Sequence, residues 1–374
     1  MAVVTVVGAG VIGLAVAAQV AGEGREVYIL EKNETFGTET SSRNSETIHA
    51  GIYYPEGSLK AKMCVAGNAL LYDICRRFGI AGKRTGKLIV AIRDQEVEKL
   101  EALLEQGKKN GVEDLKMISK KEMKAIEPNV KAEAAIFSPA TGVIDSYGLM
   151  RYFVNRAGEK GAGIAFKSKV IGIEQLHGGY QVVVEGGSGL FSFRTDLLVN
   201  CAGLYSDRIA QLAGIDVNGA GYNLHYCKGE YFSVSNNKNS MVKRLIYPAP
   251  DSGTGGVGIH TVMDVEGRMR LGPNARYVDE IDYRVDSLQK EYFYSSVKRF
   301  LPFLEFDDLE PEMAGIRPKL QGPGEGFRDF IIKHEEERGL PGFINLIGIE
   351  SPGLTCAPAI ANHVADMVDD ILKN

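Results

Sequence analysis

An apolar run from Val3 to Val7 leads into Gly8-Ala9-Gly10-Val11-Ile12-Gly13, and a second apolar run opens at Leu14. Three glycines at that spacing suit a strand that turns sharply into a helix, where backbone N–H groups and the helix dipole can hold a pyrophosphate. Alone, the glycine string is also compatible with a plain tight turn. A second strand, Glu26 to Leu30, ends on Glu31, the place where an acidic side chain accepts from both hydroxyls of an adenosine ribose. An acid rather than an arginine there disfavours a 2′-phosphate. The expectation is a βαβ unit that binds a dinucleotide, with Gly8, Gly10, Val11, Ile12, Gly13, Glu31 and Lys32 against it.

The chain has 374 residues, beyond the usual size of one domain, so two compact units are expected. It is 44% hydrophobic and 24% charged, without an apolar run of the roughly eighteen residues that a membrane helix needs. Peripheral attachment stays open. The formal net charge of −5 comes without a basic stripe, which argues against nucleic acid as partner and for small molecules. Five scattered cysteines lack CxxC or CxxH spacing, which fits no metal centre or disulfide framework. A reducing compartment follows. The glycine motif begins with no basic leader before it, so the cytosol is the expected location.

Apolar spacing predicts helices over Leu14–Ala21, Leu59–Phe78, Glu96–Asn110 and Thr355–Lys373. Strands are expected over 165–174, 180–184, 190–193 and 197–201, the last a buried parallel strand ending in Ala202-Gly203. Residues 220–335 alternate short strands with turns, including 231–234, 245–247, 257–262 and 269–271, and read as an antiparallel sheet. A strand over 343–347 and a glycine-rich turn, Gly348 to Gly353, return to the style of the opening.

The choice between NAD and FAD turns on separated segments, because FAD is the longer molecule. Ser41-Ser42-Arg43-Asn44-Ser45 offers hydroxyl, amide and guanidinium donors for phosphates. Cys201-Ala202-Gly203 allows close backbone approach, and Val170 is counted with the cofactor contacts. Gly348, Ile349, Glu350, Pro352, Gly353, Leu354 and Thr355 end at a helix start, whose N–H groups suit the negative edge of a reduced flavin. FAD is the expected cofactor, with no metal.

Further stretches carry a resemblance. They are 43–54 (Arg43 to Tyr54), Ser58 to Lys62, Gly86-Lys87-Leu88-Ile89-Val90-Ala91, Thr141 to Asp145, and Leu271 to Ala275. Through them the chain resembles, over nearly its whole length, the D-amino-acid-oxidase-like superfamily of FAD enzymes, and within it the L-2-hydroxyglutarate dehydrogenase family. Where that family reads His-Asn-Ser-Gly, this chain has Arg43-Asn44-Ser45-Glu46.

The resemblance implies an α/β (α+β overall) architecture. It would comprise a Rossmann-like FAD-binding domain from 1–82, 141–217 and 342–374, and an antiparallel-sheet substrate domain from 83–140 and 218–341, with substrate between them. His49, followed by Ala50-Gly51, would lie beside the flavin as a base, a flavin contact or covalent attachment point, or a packed histidine. His260 is the rival base. Arg317, in Gly315-Ile316-Arg317-Pro318, resembles an arginine that forks onto the substrate carboxylate. Tyr53, Lys228 and Tyr247 are secondary pocket candidates.

The implied reaction is oxidation of a small 2-hydroxy acid to a 2-oxo acid, with hydride passing to flavin N5. Oxidation of an amino acid, glycine, sarcosine or glycerol 3-phosphate is the enzymatic alternative, and a structural FAD the non-enzymatic one. Oxygen, a quinone or a carrier protein remain open as electron acceptor.

Overall fold

The strand Ala2–Val7 lies inside a six-stranded sheet, and its composition accounts for that position. Val4, Thr5 and Val6 are all buried, and Thr5 spends its hydroxyl on Thr195 at 2.9 Å. A strand covered on both faces reads as nearly continuous apolar sequence. The sheet order is Ile331–His334, Phe343–Ile347, Leu197–Asn200, Ala2–Val7, Arg25–Leu30, Gly163–Ala165. All neighbours are parallel except the edge strand Ile331–His334. Val6 pairs in register with Ile29 on one side and Val199 on the other.

The helix Val11–Val20 is apolar around nearly its whole circumference, as an interior helix must be. It packs against the helices Ser146–Glu159 and Gly353–Lys373. A computed structural model describes residues 1–250 and 257–373. In it the chain forms two compact units, 1–42 with 146–226 and 317–374, and 43–145 with 227–316. Among the described residues no helix is long and apolar enough to cross a membrane.

The first unit adds an antiparallel three-stranded sheet, Lys169–Leu176, Gly179–Gly186 and Gly189–Thr195. The second unit holds a four-stranded sheet in the order Leu245–Pro248, Lys87–Ala91, Ala134–Ser138, Lys116–Ser119. A five-stranded sheet contains His260–Met263, Met269–Gly272, His225–Val234, Arg276–Val278 and Leu309–Lys319. The helix Leu59–Phe78 starts at Ser58, whose hydroxyl accepts from Ala61 N, and stops at Gly79 in the left-handed conformation.

The structure divides the chain at other places than the sequence suggested. Residues 43–82 pack in the second unit, because Thr47–Ile48 pairs with Gly142–Ile144 and Asn68 Nδ2 donates to the carbonyls of His49 and Ala140. Residues 317–341 pack in the first, because Ile331–His334 pairs with Phe343–Ile347 and Leu320 and Leu340 enter the same core. The expected strand 165–174 is two strands, broken where Lys167 takes a positive φ of 52° and Ser168 N bonds to Glu31 O. The sheet expected to be antiparallel throughout is not: Leu245–Pro248 runs parallel to Lys87–Ala91.

Two glycines test this packing in opposite directions. A Cβ on Gly13 would meet the Gly8 carbonyl oxygen at 2.0 Å, whereas one on Gly158, in an exposed helical turn, would meet nothing within 4 Å. Gly13→Ala is expected to lower stability by about 1–3 kcal/mol or more. Gly158→Ala is expected to raise it by about 0.4–1 kcal/mol. Thermal unfolding reads both, and a Gly13→Ala midpoint equal to the parent's would contradict the contact.

Candidate active site and cofactor cradle

In the first unit, Gly8 leaves its strand at φ +104°, and a Cβ there would meet the Cys201 carbonyl oxygen at 2.6 Å. The strand Leu197–Asn200 therefore closes directly on the turn, with Cys201 N bonded to Val7 O at 2.9 Å. Val11 N, at the helix start, donates to Ser41 Oγ at 3.0 Å, and a Cβ on Gly10 would meet the same oxygen at 3.1 Å.

Glu31 is only 7% exposed. One carboxylate oxygen accepts from Ala9 N at 2.8 Å, and the other accepts from the backbone and side-chain nitrogens of Asn33 at 2.9 and 2.8 Å. The acid thereby ties the glycine turn to the end of the second strand. Lys32 Nζ reaches Glu39 at 2.7 Å and lies 4.5 Å from the centre of the Tyr205 ring.

These elements surround a cavity of about 680 Å³, whose wall includes Gly8, Gly10, Glu31, Lys32, Ser41, Val170 and Cys201-Ala202-Gly203. Val11, Ile12 and Gly13 open the helix beside it. Ser168, Tyr205 and Arg208 also line it, and sequence reasoning did not name them. Their signal was positional, since Tyr205 and Arg208 follow Ala202-Gly203 directly.

Other expected cofactor contacts lie off this wall. Ser42 is exposed, its hydroxyl bonded to Glu39 O at 3.2 Å. In the Gly348–Thr355 turn, Glu350 N bonds to Gly348 O and Gly353 N to Glu350 O, so these two N–H groups serve the turn itself. Glu350 pairs with Lys319 at 3.6 Å, and Ile349, Pro352, Leu354 and Thr355 carry the chain into the C-terminal helix. Arg317, at the end of the strand Leu309–Lys319, is half-buried.

The second unit collects the remaining residues. The Arg43 guanidinium lies 4.3 Å from the Tyr283 ring centre and its Nη1 donates to Ala314 O at 3.4 Å. Asn44 Oδ1 accepts from Glu46 N, and Ser45 O from Thr47 Oγ1. A Cβ on Gly315 would meet the Arg43 carbonyl oxygen at 2.0 Å, so the glycine of Gly-Ile-Arg-Pro is required by that crossing. Ala50 is buried, and Gly51 sits at φ +98° against Val65.

His49, Tyr53, Lys87, Tyr247 and His260 form one cluster. The Tyr247 and His260 rings stack at 3.7 Å between centres. His260 Nδ1 is 2.7 Å from Gly258 O; a carbonyl only accepts, so Nδ1 carries a proton. Lys87 Nζ lies 4.7 Å from each of the Tyr53 and Tyr247 ring centres.

Burial, then the charges of Lys87 and His260, hold the His49 imidazole down to about 3. Burial pushes the Tyr53 and Tyr247 hydroxyls up and the Lys87 ammonium down to about 7. The unfolded chain binds that lysine proton more readily, so Lys87 subtracts from stability, increasingly as the pH falls from 10.5 towards 7.

Lys228, by contrast, is committed elsewhere. Its buried ammonium bonds to Arg284 O and pairs with Asp282 at 3.5 Å and Glu230 at 3.9 Å. Lys87 was not named as a site residue from sequence, although a lysine opening a run of five buried positions, Lys87–Ala91, was visible there.

The family described as FAD dependent oxidoreductase (DAO) matches residues 4–367. The chain belongs to that family. It is 37% identical over 399 residues to the mitochondrial L-2-hydroxyglutarate dehydrogenase of Arabidopsis thaliana, covering 96% of this chain and 82% of that protein. It is 31% identical to a glycerol 3-phosphate dehydrogenase of Caloramator mitchellensis, covering 99% and 74%. Among solved structures, the dithionite-reduced L-α-glycerophosphate oxidase of Mycoplasma pneumoniae with FAD bound superposes with a TM-score of 0.86 at 27% identity, covering 99% and 95%.

This DAO-family chain is an FAD-dependent oxidoreductase, and the cradle fits that cofactor: Gly8 and Gly10 lack room for an ordinary Cβ, and Glu31 lines the cavity. Glu31→Gln removes one of the two anionic oxygens that hold Ala9 and Asn33. It is expected to weaken FAD retention by about 1.5–3 kcal/mol. The flavin-to-protein absorbance ratio after dialysis measures this, and full occupancy in the variant would show that Glu31 does not hold the cofactor's turn.

Proposed function

We propose that the protein oxidises a small 2-hydroxy acid of the L-2-hydroxyglutarate type to its 2-oxo acid. The observation that carries the reading is a neutral imidazole, His49, with a second imidazole, His260, beside it. A hydroxyl gives up its proton only to a positioned base, whereas a neutral amine carries no such proton to remove before its α-hydrogen leaves. His49, held down to about 3, is free of charge at neutral pH and lies close to His260, whose Nδ1 donates to Gly258 O. The 37% identity to the Arabidopsis L-2-hydroxyglutarate dehydrogenase supports the same substrate class.

Bound FAD supplies the hydride acceptor. We assign to Arg317 the carboxylate next to the reacting carbon, onto which its guanidinium would fork. The His49–His260 pair takes the hydroxyl proton, and the Nδ1 of His260 is engaged by backbone. The stacked Tyr247 ring and the carbonyl of Gly258 hold that imidazole in one orientation. A second reading, oxidation of glycerol 3-phosphate, is favoured by the likeness to the Caloramator dehydrogenase and the Mycoplasma oxidase.

Anaerobic titration separates the readings. L-2-hydroxyglutarate is expected to bleach the flavin at the lowest concentration among 2-hydroxy acids, amino acids and glycerol 3-phosphate. Bleaching by glycerol 3-phosphate or an amino acid alone would overturn the proposal. Arg317→Lys keeps the charge but loses the second parallel bond; kcat/KM is expected to fall about a hundredfold with flavin content unchanged.

A further inference from the structure

We propose that Lys87 is the receptor for the substrate carboxylate remote from the reacting carbon, and so selects dicarboxylic over monocarboxylic acids; the substrate class rests on the 2-hydroxy-acid reading above. Lys87 opens a central strand, in register with Leu245 on one side and Ser138 on the other. All five residues of that strand are buried, Lys87 to 1% exposure. Lysines are almost never so buried unless paired.

The chain shows what pairing looks like. Lys228, as deeply buried, has Asp282 and Glu230 beside it. Around Lys87, among the described residues, no carboxylate lies within ion-pair distance. Beside it are two aromatic faces, which attract a cation without neutralising it, the Cys64 thiol and the His49 imidazole.

The same cluster contains two further unmet groups. The Tyr53 hydroxyl is buried with no hydrogen-bond partner, and the buried Tyr247 hydroxyl has Thr47 beside it. Each such group lowers stability unless something pairs with it. One ligand group answers all three: a carboxylate has about four lone-pair sites, enough for an ammonium and two hydroxyls. Burial without a counter-anion already holds the ammonium down to about 7. A carboxylate placed against it raises that value, so binding near about pH 8 takes up a proton.

Glutarate and pentanoate differ only in the second carboxylate, and neither has a hydroxyl to oxidise. Both are titrated into the FAD-loaded enzyme, with the flavin spectrum and calorimetric heat as readouts. Lys87→Met is expected to raise the glutarate Kd about 10- to 100-fold and to move the pentanoate Kd less than about threefold. In the parent, calorimetry in buffers of different ionisation enthalpy is expected to show more protons taken up with glutarate than with pentanoate, by up to about one.

Equal weakening of both ligands, weakening of neither, or equal proton counts would overturn the assignment. Should Lys87→Met lose flavin or fold, the parent's proton counts decide. The two readings fail separately. If L-2-hydroxyglutarate bleaches the parent while Lys87→Met leaves glutarate binding intact, only the Lys87 assignment falls. If no 2-hydroxy acid bleaches the flavin yet glutarate binding depends on Lys87, the anion receptor stands and the substrate reading falls.

Discussion

Backbone lies on backbone where the first helix begins: a Cβ on Gly13 would meet the Gly8 carbonyl oxygen at 2.0 Å, and one on Gly8 would meet the Cys201 carbonyl oxygen at 2.6 Å. Because nothing stands between these segments, the strand Ala2–Val7, the helix Val11–Val20 and the strand Leu197–Asn200 converge on one turn. Glu31 then fastens that turn from below through Ala9 N. The cavity wall is the consequence, since segments held this closely leave their backbone N–H groups and small side chains facing the same space. A single side chain larger than hydrogen at these positions would separate the strands that the rest of the sheet is built around.

The second unit is organised by a different physics. Its cluster of His49, Tyr53, Lys87, Tyr247 and His260 is polar and largely withdrawn from water, with the Tyr53 and Tyr247 hydroxyls buried. Such a cluster costs stability, and its groups are held away from their ordinary protonation behaviour by desolvation. Sites that need a neutral base and an unneutralised cation are where such costs concentrate. The buried Lys228 network is the structural counterpart: Glu230 also accepts from Asn274 Nδ2 and Asp286 N, and the whole set is satisfied internally.

The glycine turn and Glu31 were legible in the sequence because their chemistry is local: spacing along the chain equals spacing in space. The same holds for Leu59–Phe78, with Ser58 and Gly79 as its caps. Pairings across long separations were not legible. Nothing in Leu245–Pro248 announces that its partner is Lys87–Ala91, in parallel, and nothing local assigns residues 43–82 to the second unit.

The candidate site divides the same way. The cradle residues around Ser41 and Cys201 could be named, whereas the exchange of roles between two lysines could not. Lys228 was a pocket candidate by its neighbours in sequence and is paired within the fold. Lys87 stood only within Gly86–Ala91, a stretch that carried the resemblance, and among the described residues it is a buried cation with no carboxylate at ion-pair distance.

The assignment gives FAD to the cradle of the first unit and the roles of anion receptor and base to residues of the second. A crystal structure of the FAD-loaded protein with glutarate bound tests it most directly. The account predicts the adenosine diphosphate half of FAD along Gly8, Gly10 and Glu31, and one glutarate carboxylate within about 3 Å of Lys87 Nζ. FAD seated away from that turn, or glutarate bound with no carboxylate at Lys87, would contradict it.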